Sequence, residues 1–565
     1  MSKKDFLQDI TVNPTNTLTV TGSAAFNARP ITFKSDVNST GSFGVVAVPA
    51  NVTGTTNVTV ERFLQGKRSV RFLTPSVTTS ASIFANWQNA GANTATIGTH
   101  ITGSVTGANP TNGFDQTESG AVSMHTYNAQ IASGTGFTPI TNTDVNALTA
   151  GAGYRILIRG DRNVNLAAAS AADMNVPTTL SAKGTLRTGT VTYTSAGGPA
   201  PINNQSGNGI TAGNTLIGNP YASPVDWHLV TKTGVAGNSY YTWNPALGTA
   251  LQRGRYVLYS EDTSSSSIFE PSIGTDGVTN RRFLQSGQAV FIKNAVLATP
   301  ATLTFNESNK ASSYQYVFRS NESALSANNS SLHLSVYEPN ELAIGGNAID
   351  GAAAVFGANF VTALDNNDLE KLVASGENLA FVRDNKNLAI ETVAPVQAND
   401  VLFVKTIAFQ ANKNYTFKVN TTNFDTTVTA KMVDMYLNTE TPINVTQPSF
   451  VSFSTTADAA SYGSERFKIV FNSGALGNDD LAKNAISVYP NPVVNNQFTV
   501  ALPGSVTGKV TLSVTNMLGQ QVYTATTDAT PTMQVQPKQQ LQQGVYVVSI
   551  NNNGNVIQTK VIVKN

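Results

Sequence analysis

The chain has 565 residues, with 35 lysines and arginines against 34 aspartates and glutamates, for a net charge of +1. Charged residues make up only 12% of the chain, about half the usual share, and there is no cysteine. This balance excludes the basic footprint of a nucleic-acid-binding protein, and the missing thiols exclude disulfides, zinc–thiolate centres and cysteine nucleophiles.

At roughly 100–200 residues per domain, the length predicts about three or four domains. Thr, Asn, Ser, Gly and Val fill the space left by missing charge; these are strand and turn residues. No apolar stretch approaches the roughly 20 residues of a transmembrane helix. The opening MSKKDFLQDITVNPTN carries lysines but no apolar core of a signal peptide. Either the protein is not exported, or the chain begins part-way through a longer one.

Residues 1–60 read as an N-terminal β region. LTVTG (18–22) and NVTVERFL (57–64) alternate apolar with polar residues, the period of a half-buried strand. Residues 61–310 form a β-rich domain in the same style, with strand-sized runs such as GYRILIRGDRNV (153–164), RYVLYSED (255–262) and SGQAVFIKN (286–294) between Gly/Asn/Ser/Pro loops. Its densest basic stretch, ERFLQGKRSVRF (61–72), carries Arg62, Lys67, Arg68 and Arg71. It reads as a solvated hairpin edge defended by charge, with contact to acidic glycans or lipopolysaccharide as the functional alternative. Its Gly-Lys lacks the earlier glycine of a phosphate-binding loop.

Residues 311–472 read as a second β-sandwich-like domain. SSLHLSVYE (330–338) alternates Leu332, Leu334 and Val336 on one face. ENLAFVRDNKNLAIETV (377–393) is a hairpin with Asp384-Asn385 at its turn. DNNDLEKLV (365–373) is expected to be a short helix, capped ahead of Leu369 and Leu372. FVSFSTTADAASYGSERFKIVF (450–471) adds two strands. Residues 473–484 read as a linker, and residues 485–565, with about seven strands, as a small Ig-like sandwich. The expected fold class is all-β: multidomain sandwich-like units ending in that small sandwich.

The last unit opens with ISVYPNPVVNNQFTV (486–500). Pro490 and Pro492 cannot donate to a ladder, so this is no ordinary central strand; an edge strand, or a strand bending between two sheets, tolerates them. SVYPNP, then TNMLGQQV (515–522), LQQGVYVVSI (541–550) and the ending KVIVKN (560–565) resemble, in that order, the type A C-terminal sorting domain of the type IX secretion system of the Bacteroidota. The resemblance covers residues of about 485–565. It implies a sorting signal carried by Pro490, Asn491, Pro492, Leu518, Gly519, Gly544, Val545, Tyr546, Lys560 and Lys564. It implies as partners the translocon and its outer-membrane shuttle, and as destination the cell surface or the medium. VTVERFLQGKRSVRFLTPSV, NWQNAG, LIGNPYASPVDW, FLQSGQAVFIKN and YGSERFKIVF, over residues of about 55–472, are similar to segments of long surface proteins that carry this sorting domain. Such segments often follow β-solenoid or adhesin-like regions, which would make residues 1–60 the end of a stalk. This second resemblance brings no catalytic residues.

Side chains able to do chemistry are thinly spread. His100, His125, His228 and His333 form no short-spaced ligand pair and no HExxH. Asp226 and His228 flank Trp227 without a nucleophile elbow nearby. Asp365 and Asp368 read as a helix cap, and Asn478, Asp479 and Asp480 as a solubilising linker, with calcium binding by their oxygens as the functional alternative for both. Tyr221, Trp227, Tyr241 and Trp243 read as core filling between sheets, with a candidate glycan platform as the functional alternative. Asp425-Thr426-Thr427 resembles a Bacteroidota O-glycosylation signal. The reading that follows is a secreted or cell-surface structural or adhesive protein without catalysis or cofactor, calcium excepted. The alternative is a polysaccharide-binding module ancillary to an enzyme lying N-terminal to this chain.

Overall fold

The computed structural model describes residues 4–5, 8–105, 112–129, 136–167, 173–202, 213–245, 247, 254–261, 271–272, 283–296, 299, 301–311, 329–365, 367–473, 486–503, 506–552 and 555–564. The chain divides into two compact units, the first built from residues 1–246, 253–274 and 278–324, the second chiefly from residues 325–565. Nearly every described element is a strand, and the one α-helix among them is the five-residue Pro339–Ala343, with proline in its first turn where no N–H is needed.

The first unit begins with coils stacked in parallel. Ile10–Val12 pairs in parallel with Ile31–Phe33, and Ile31–Phe33 with Val58–Leu64. On neighbouring faces Lys4–Asp5, Ala24–Ala25 and Val52–Thr53 stack likewise, as do Thr17–Leu18 and Ser42–Phe43. This coil-on-coil arrangement is that of a β-solenoid. Phe26, Ile31, Phe33 and Phe43 fill its inside, with edge-to-face ring contacts of 6.3 and 6.2 Å. The boundary expected at residue 60 falls within Val58–Leu64, whose Val58, Val60 and Leu64 join Leu180, Ala182 and Leu186 of the antiparallel strand Thr178–Leu186 in one core. Residues 1–60 and the chain after them therefore share that core.

The basic stretch at 61–72 is not a hairpin. Val58–Leu64 pairs with Thr178–Leu186, while Ser69–Leu73 belongs to another sheet and pairs with Tyr154–Ile158. Ser69–Leu73 is buried throughout, and the Arg71 guanidinium donates to the carbonyls of Val70, Gln65 and Lys67 at 3.1–3.3 Å. Apolar neighbours on both sides draw this strand inward, and its arginine is satisfied by backbone instead of water.

Strands of the second unit are numbered along the chain. β1 (Ser330–Tyr337), β2 (Asp350–Phe356), β3 (Leu369–Glu370), β4 (Asn378–Arg383), β5 (Lys386–Val393), β6 (Val401–Ile407), β7 (Asn414–Thr422), β8 (Val428–Asp434), β9 (Thr439–Ile443), β10 (Ser449–Ser454) and β11 (Phe467–Ser473) form one sheet. Its order is β9-β8-β11-β6-β4-β5-β2-β1-β7-β10, with β3 beside β5. The sheet folds over on itself: Phe453 of the edge strand β10 lies 4.6 Å, ring to ring, from Phe467 of β11, near the opposite edge. The β4–β5 hairpin turns at Asp384 (φ 47°) and Asn385 (φ 63°), the left-handed pair that a two-residue turn needs.

The helix expected at 365–373 is absent. Asp365 and Asp368 spend their carboxylates on a turn: Asp365 Oδ1 accepts Asn367 N at 2.7 Å, and Asp368 Oδ2 accepts Asp365 N at 2.9 Å. Asp368 Oδ1 accepts Thr392 N at 2.8 Å, which ties the segment to β5, where Leu369 sits opposite Ile390. A cross-strand partner outweighs a helix propensity too short to nucleate on its own. The linker read at 473–484 lies, but for Ser473, outside the described residues.

The last seven strands are β12 (Ser487–Val494), β13 (Gln497–Ala501), β14 (Lys509–Asn516), β15 (Gln521–Asp528), β16 (Thr532–Val535), β17 (Gly544–Asn552) and β18 (Asn555–Val563). Their order is β15-β14-β17-β18-β12-β13-β16, around a core of their own that includes Val493, Phe498, Val514, Val548 and Val561.

Candidate functional site

In β12 the two prolines sit where the strand changes partners. Ser487, Val488 and Tyr489 pair antiparallel with Ala501, Val500 and Thr499 of β13, whereas Val493 pairs in parallel with Val563 of β18. Pro490 and Pro492 occupy the crossing, where no ladder bond is required of them. This is the bend between two sheets that the sequence pattern allows. Asn491, between them, uses its side chain in place of the missing ladder: Oδ1 accepts the Ile562 N–H at 2.8 Å, and Nδ2 reaches the Lys560 carbonyl at 3.4 Å. The Lys564 N–H donates to the Val493 carbonyl at 3.2 Å.

The other motif elements arrive at the same end of this sheet. Gly544, Val545 and Tyr546 open β17 opposite Val563, Ile562 and Val561. Tyr546 points inward, and its hydroxyl donates to the Gln542 carbonyl at 2.9 Å. Val545 and Ile562 face outward between the exposed Lys560 and Lys564. Across β17, Asn516 of β14 lies opposite Tyr546, and the chain then turns. Asn516 Oδ1 accepts the N–H groups of Leu518 and Gln520 at 3.1 and 2.9 Å, and Gly519 takes φ 84°. The tip carries Met517 and Leu518, 66% and 93% exposed. Four segments spread over about 80 residues thus converge on one apolar and basic end. Two contributors that the motif reading missed are Asn516, signalled by an Asx-turn asparagine three residues before a glycine, and Ile562, signalled by alternation in KVIVK.

The remaining candidates lie elsewhere, each within a unit. Three members of the glycan platform are core residues: Tyr221 is 0% exposed, Trp227 1% and Tyr241 1%. Tyr221 Oη donates to the carbonyls of Gly189 and Phe305 at 2.6 and 3.0 Å, and Trp227 Nε1 to that of Asn238 at 2.7 Å. Trp243 is half-buried, edge-on to Phe72 and Tyr256. Tyr221, Trp227 and Tyr241 are therefore core and not a platform, because rings enclosed by sheet cannot offer a face to a sugar. Asp226 Oδ1 accepts the His228 N–H at 3.1 Å as the cap of a short 3-10 turn.

His100 stands beside Asp115, 3.4 Å from Oδ1, with its Nε2 2.8 Å from the Val164 carbonyl. Arg162 grips both oxygens of Asp115 at 2.8 and 2.9 Å. Burial pushes the Asp115 carboxyl up, but His100 and Arg162 outweigh it and hold the group well below the usual carboxylate range. His125, half-buried beside Arg155, is lowered to about 4 by burial and by that positive neighbour. His333 Nδ1 lies 3.1 Å from Ser335 Oγ. No group of three metal-ligating side chains occurs among the described residues, and Asn478, Asp479 and Asp480 lie outside them. Asp425 bonds Thr427 N and Oγ1 at 2.8 and 2.9 Å in an exposed turn, which leaves Thr426 at its tip.

Two family models match the chain. One, a domain of unknown function designated DUF8693, matches residues 99–471, more than half of the chain. The chain belongs to this family. The DUF8693 region is followed by a match to the secretion system C-terminal sorting domain at residues 487–564. The convergent end described above is thus part of a sorting domain, and the chain carries the export signal of a type IX secretion substrate. No curated protein matches this DUF8693 chain. Among solved structures, dimeric latent PorU from Porphyromonas gingivalis is similar at 10% identity and a TM-score of 0.14, over 74% of this chain and 36% of that one. The chain spans about a third of the length of that protein. The BSP domain of a biofilm associated protein is similar at 10% identity and a TM-score of 0.15, over 90% and 92% of the two chains.

Proposed function

We propose that this protein is a structural or adhesive component of the cell surface or its surroundings in a member of the Bacteroidota. Its C-terminal end, centred on Asn491, Leu518, Val545, Lys560, Ile562 and Lys564, is the surface read by the outer-membrane translocon and its shuttle. The observation that carries this is the convergence of four separated segments onto one exposed end, with Leu518 held out by an Asx turn. Exposed Met517, Leu518, Val545 and Ile562 gathered at one end give an apolar patch of the kind that marks an interaction site. The body in front of the signal is read as non-catalytic. In support, Asp226, Asp365 and Asp368 each hold a turn, and His100 sets Nε2 against the Val164 carbonyl at 2.8 Å with Nδ1 3.4 Å from Asp115.

Export tests the reading. The chain, with a signal peptide fused to it, is expressed in a type IX-competent host with and without residues 485–565, and periplasm, surface and medium are fractionated. Only the full chain is expected to leave the periplasm. Equal release of both versions would remove the sorting role.

A further inference from the structure

β6 lies in the middle of the folded-over sheet, between β4 and β11. Leu402, Val404 and Thr406 point into the core, and Val401, Phe403, Lys405 and Ile407 point out. Phe403 is 51% exposed. A large ring kept in water on a strand with neighbours on both sides forgoes burial, although a threonine or lysine there would suit the sheet as well.

The register shows what surrounds it. Phe403 stands opposite Val382 on β4 and Lys468 on β11. Lys468 stands opposite Val433 on β8, and Val470 lies between Val401 and Lys431. Lys405, Lys468 and Lys431 are therefore offset by one strand and two residues at each step, a diagonal with a spacing of about 8 Å. Phe403 and Val470 flank it on one side and Val433 on the other. The carboxylate opposite Val433 is Glu440, held by Lys431 at 2.8 Å through both oxygens. Lys405 and Lys468 form no ion pair among the described residues.

We propose that this outer face of β4, β6, β11 and β8 binds a linear anionic polysaccharide, with the chain lying along the lysine diagonal and Phe403 against the C–H face of a sugar ring. Phe403, Lys405, Lys468 and Lys431 are spread over three neighbouring strands, an extent that suits a polymer better than a small ligand. Its free charges are positive, which selects anions by complementarity. The cations are lysines, the type depleted at protein–protein interfaces, and no Arg, Tyr or Trp anchor accompanies them. A second copy of the chain would set lysine diagonal against lysine diagonal. Two uncompensated lysines are too few for the phosphate-dominated contact of nucleic acid. The inference rests on the surface-protein reading only for its setting, because binding is measured on purified chain and export by fractionation, so either can fail alone.

The test is titration calorimetry of the purified full chain with alginate and polygalacturonate, with dextran as the neutral control and a DNA duplex as the rival polyanion. Binding to a polyuronate that weakens with salt is expected. Phe403→Ala and Lys468→Glu should each weaken it by about tenfold or more while thermal unfolding stays unchanged. No polyuronate binding, equal binding of dextran or DNA, or indifference to both substitutions would overturn the proposal. So would a dimer that Phe403→Ala dissolves, which would assign the face to self-association.

Discussion

The side chain of Asn491 and the backbone of Ile562 are joined at 2.8 Å across 71 positions of sequence. Through this bond the Pro-Asn-Pro crossing and the terminal strand hold each other in register. Asn491→Ala removes an acceptor from a strand N–H and should cost about 1–2 kcal/mol. Hydrogen exchange on the full chain checks it: the Ile562 amide should exchange faster, while amides of β14 keep their protection. Unchanged exchange at Ile562 would mean that the bond is not holding β18.

Leu518 offers the complementary case. At 93% exposure it gives almost nothing to folding, so Leu518→Glu should change stability by less than about 0.5 kcal/mol. Export in the fractionation assay should nevertheless fall. At the next position, Gly519→Ala places a side chain at φ 84° and should cost about 1 kcal/mol. A Leu518→Glu variant that melts normally and is exported normally would detach the turn tip from recognition.

Trp227 distinguishes core from platform. Its indole packs 5.3 Å from the Tyr240 ring and lies under the Lys232 ammonium. Trp227→Ala should therefore destabilise the first unit by about 3–5 kcal/mol. Denaturant unfolding followed by tryptophan and far-ultraviolet signals reads this directly. A fully stable variant would contradict the burial of this ring.

Glu391 predicts a pH dependence. It is 1% exposed, accepts Arg383 Nε at 2.6 Å through Oε1, and leaves Oε2 without a partner. Burial raises its carboxyl to about 7, and the Arg383 pairing only partly opposes this. A carboxyl raised in the folded state contributes stability that is full below its unfolded value near 4.5 and is lost as pH rises through about 7. Glu391→Gln should flatten the stability profile between these values while keeping an acceptor for Arg383. A profile that is equally steep in wild type and variant would place the titration elsewhere.

Local signals were legible where one stretch of chain contained the whole cause. The Asp384-Asn385 turn needed only two residues that tolerate positive φ between alternating runs. The crossing in β12 followed from two prolines that cannot donate. Legibility failed where a distant strand supplied the deciding partner. Residues 365–373 looked capped and helical until β5 offered Leu369 a place opposite Ile390. The stretch at 61–72 looked like a charged hairpin, yet its two strands pair with residues 178–186 and 154–158. For Tyr221, Trp227 and Tyr241 the sequence allows both core and platform, and the strands that enclose them decide for core.

For this protein, the sequence by itself determined the strand-rich class, the turns, the crossing and the sorting motifs, because each is set by backbone freedom and alternation within a few residues. The tertiary structure alone decided which faces meet water. Burial is a property of residues brought together over tens to hundreds of positions, as Val60 with Ala182 and Phe356 with Phe471 show. Two aromatic side chains, Trp227 and Phe403, end up on opposite sides of that division because the fold encloses the first and leaves the second in water.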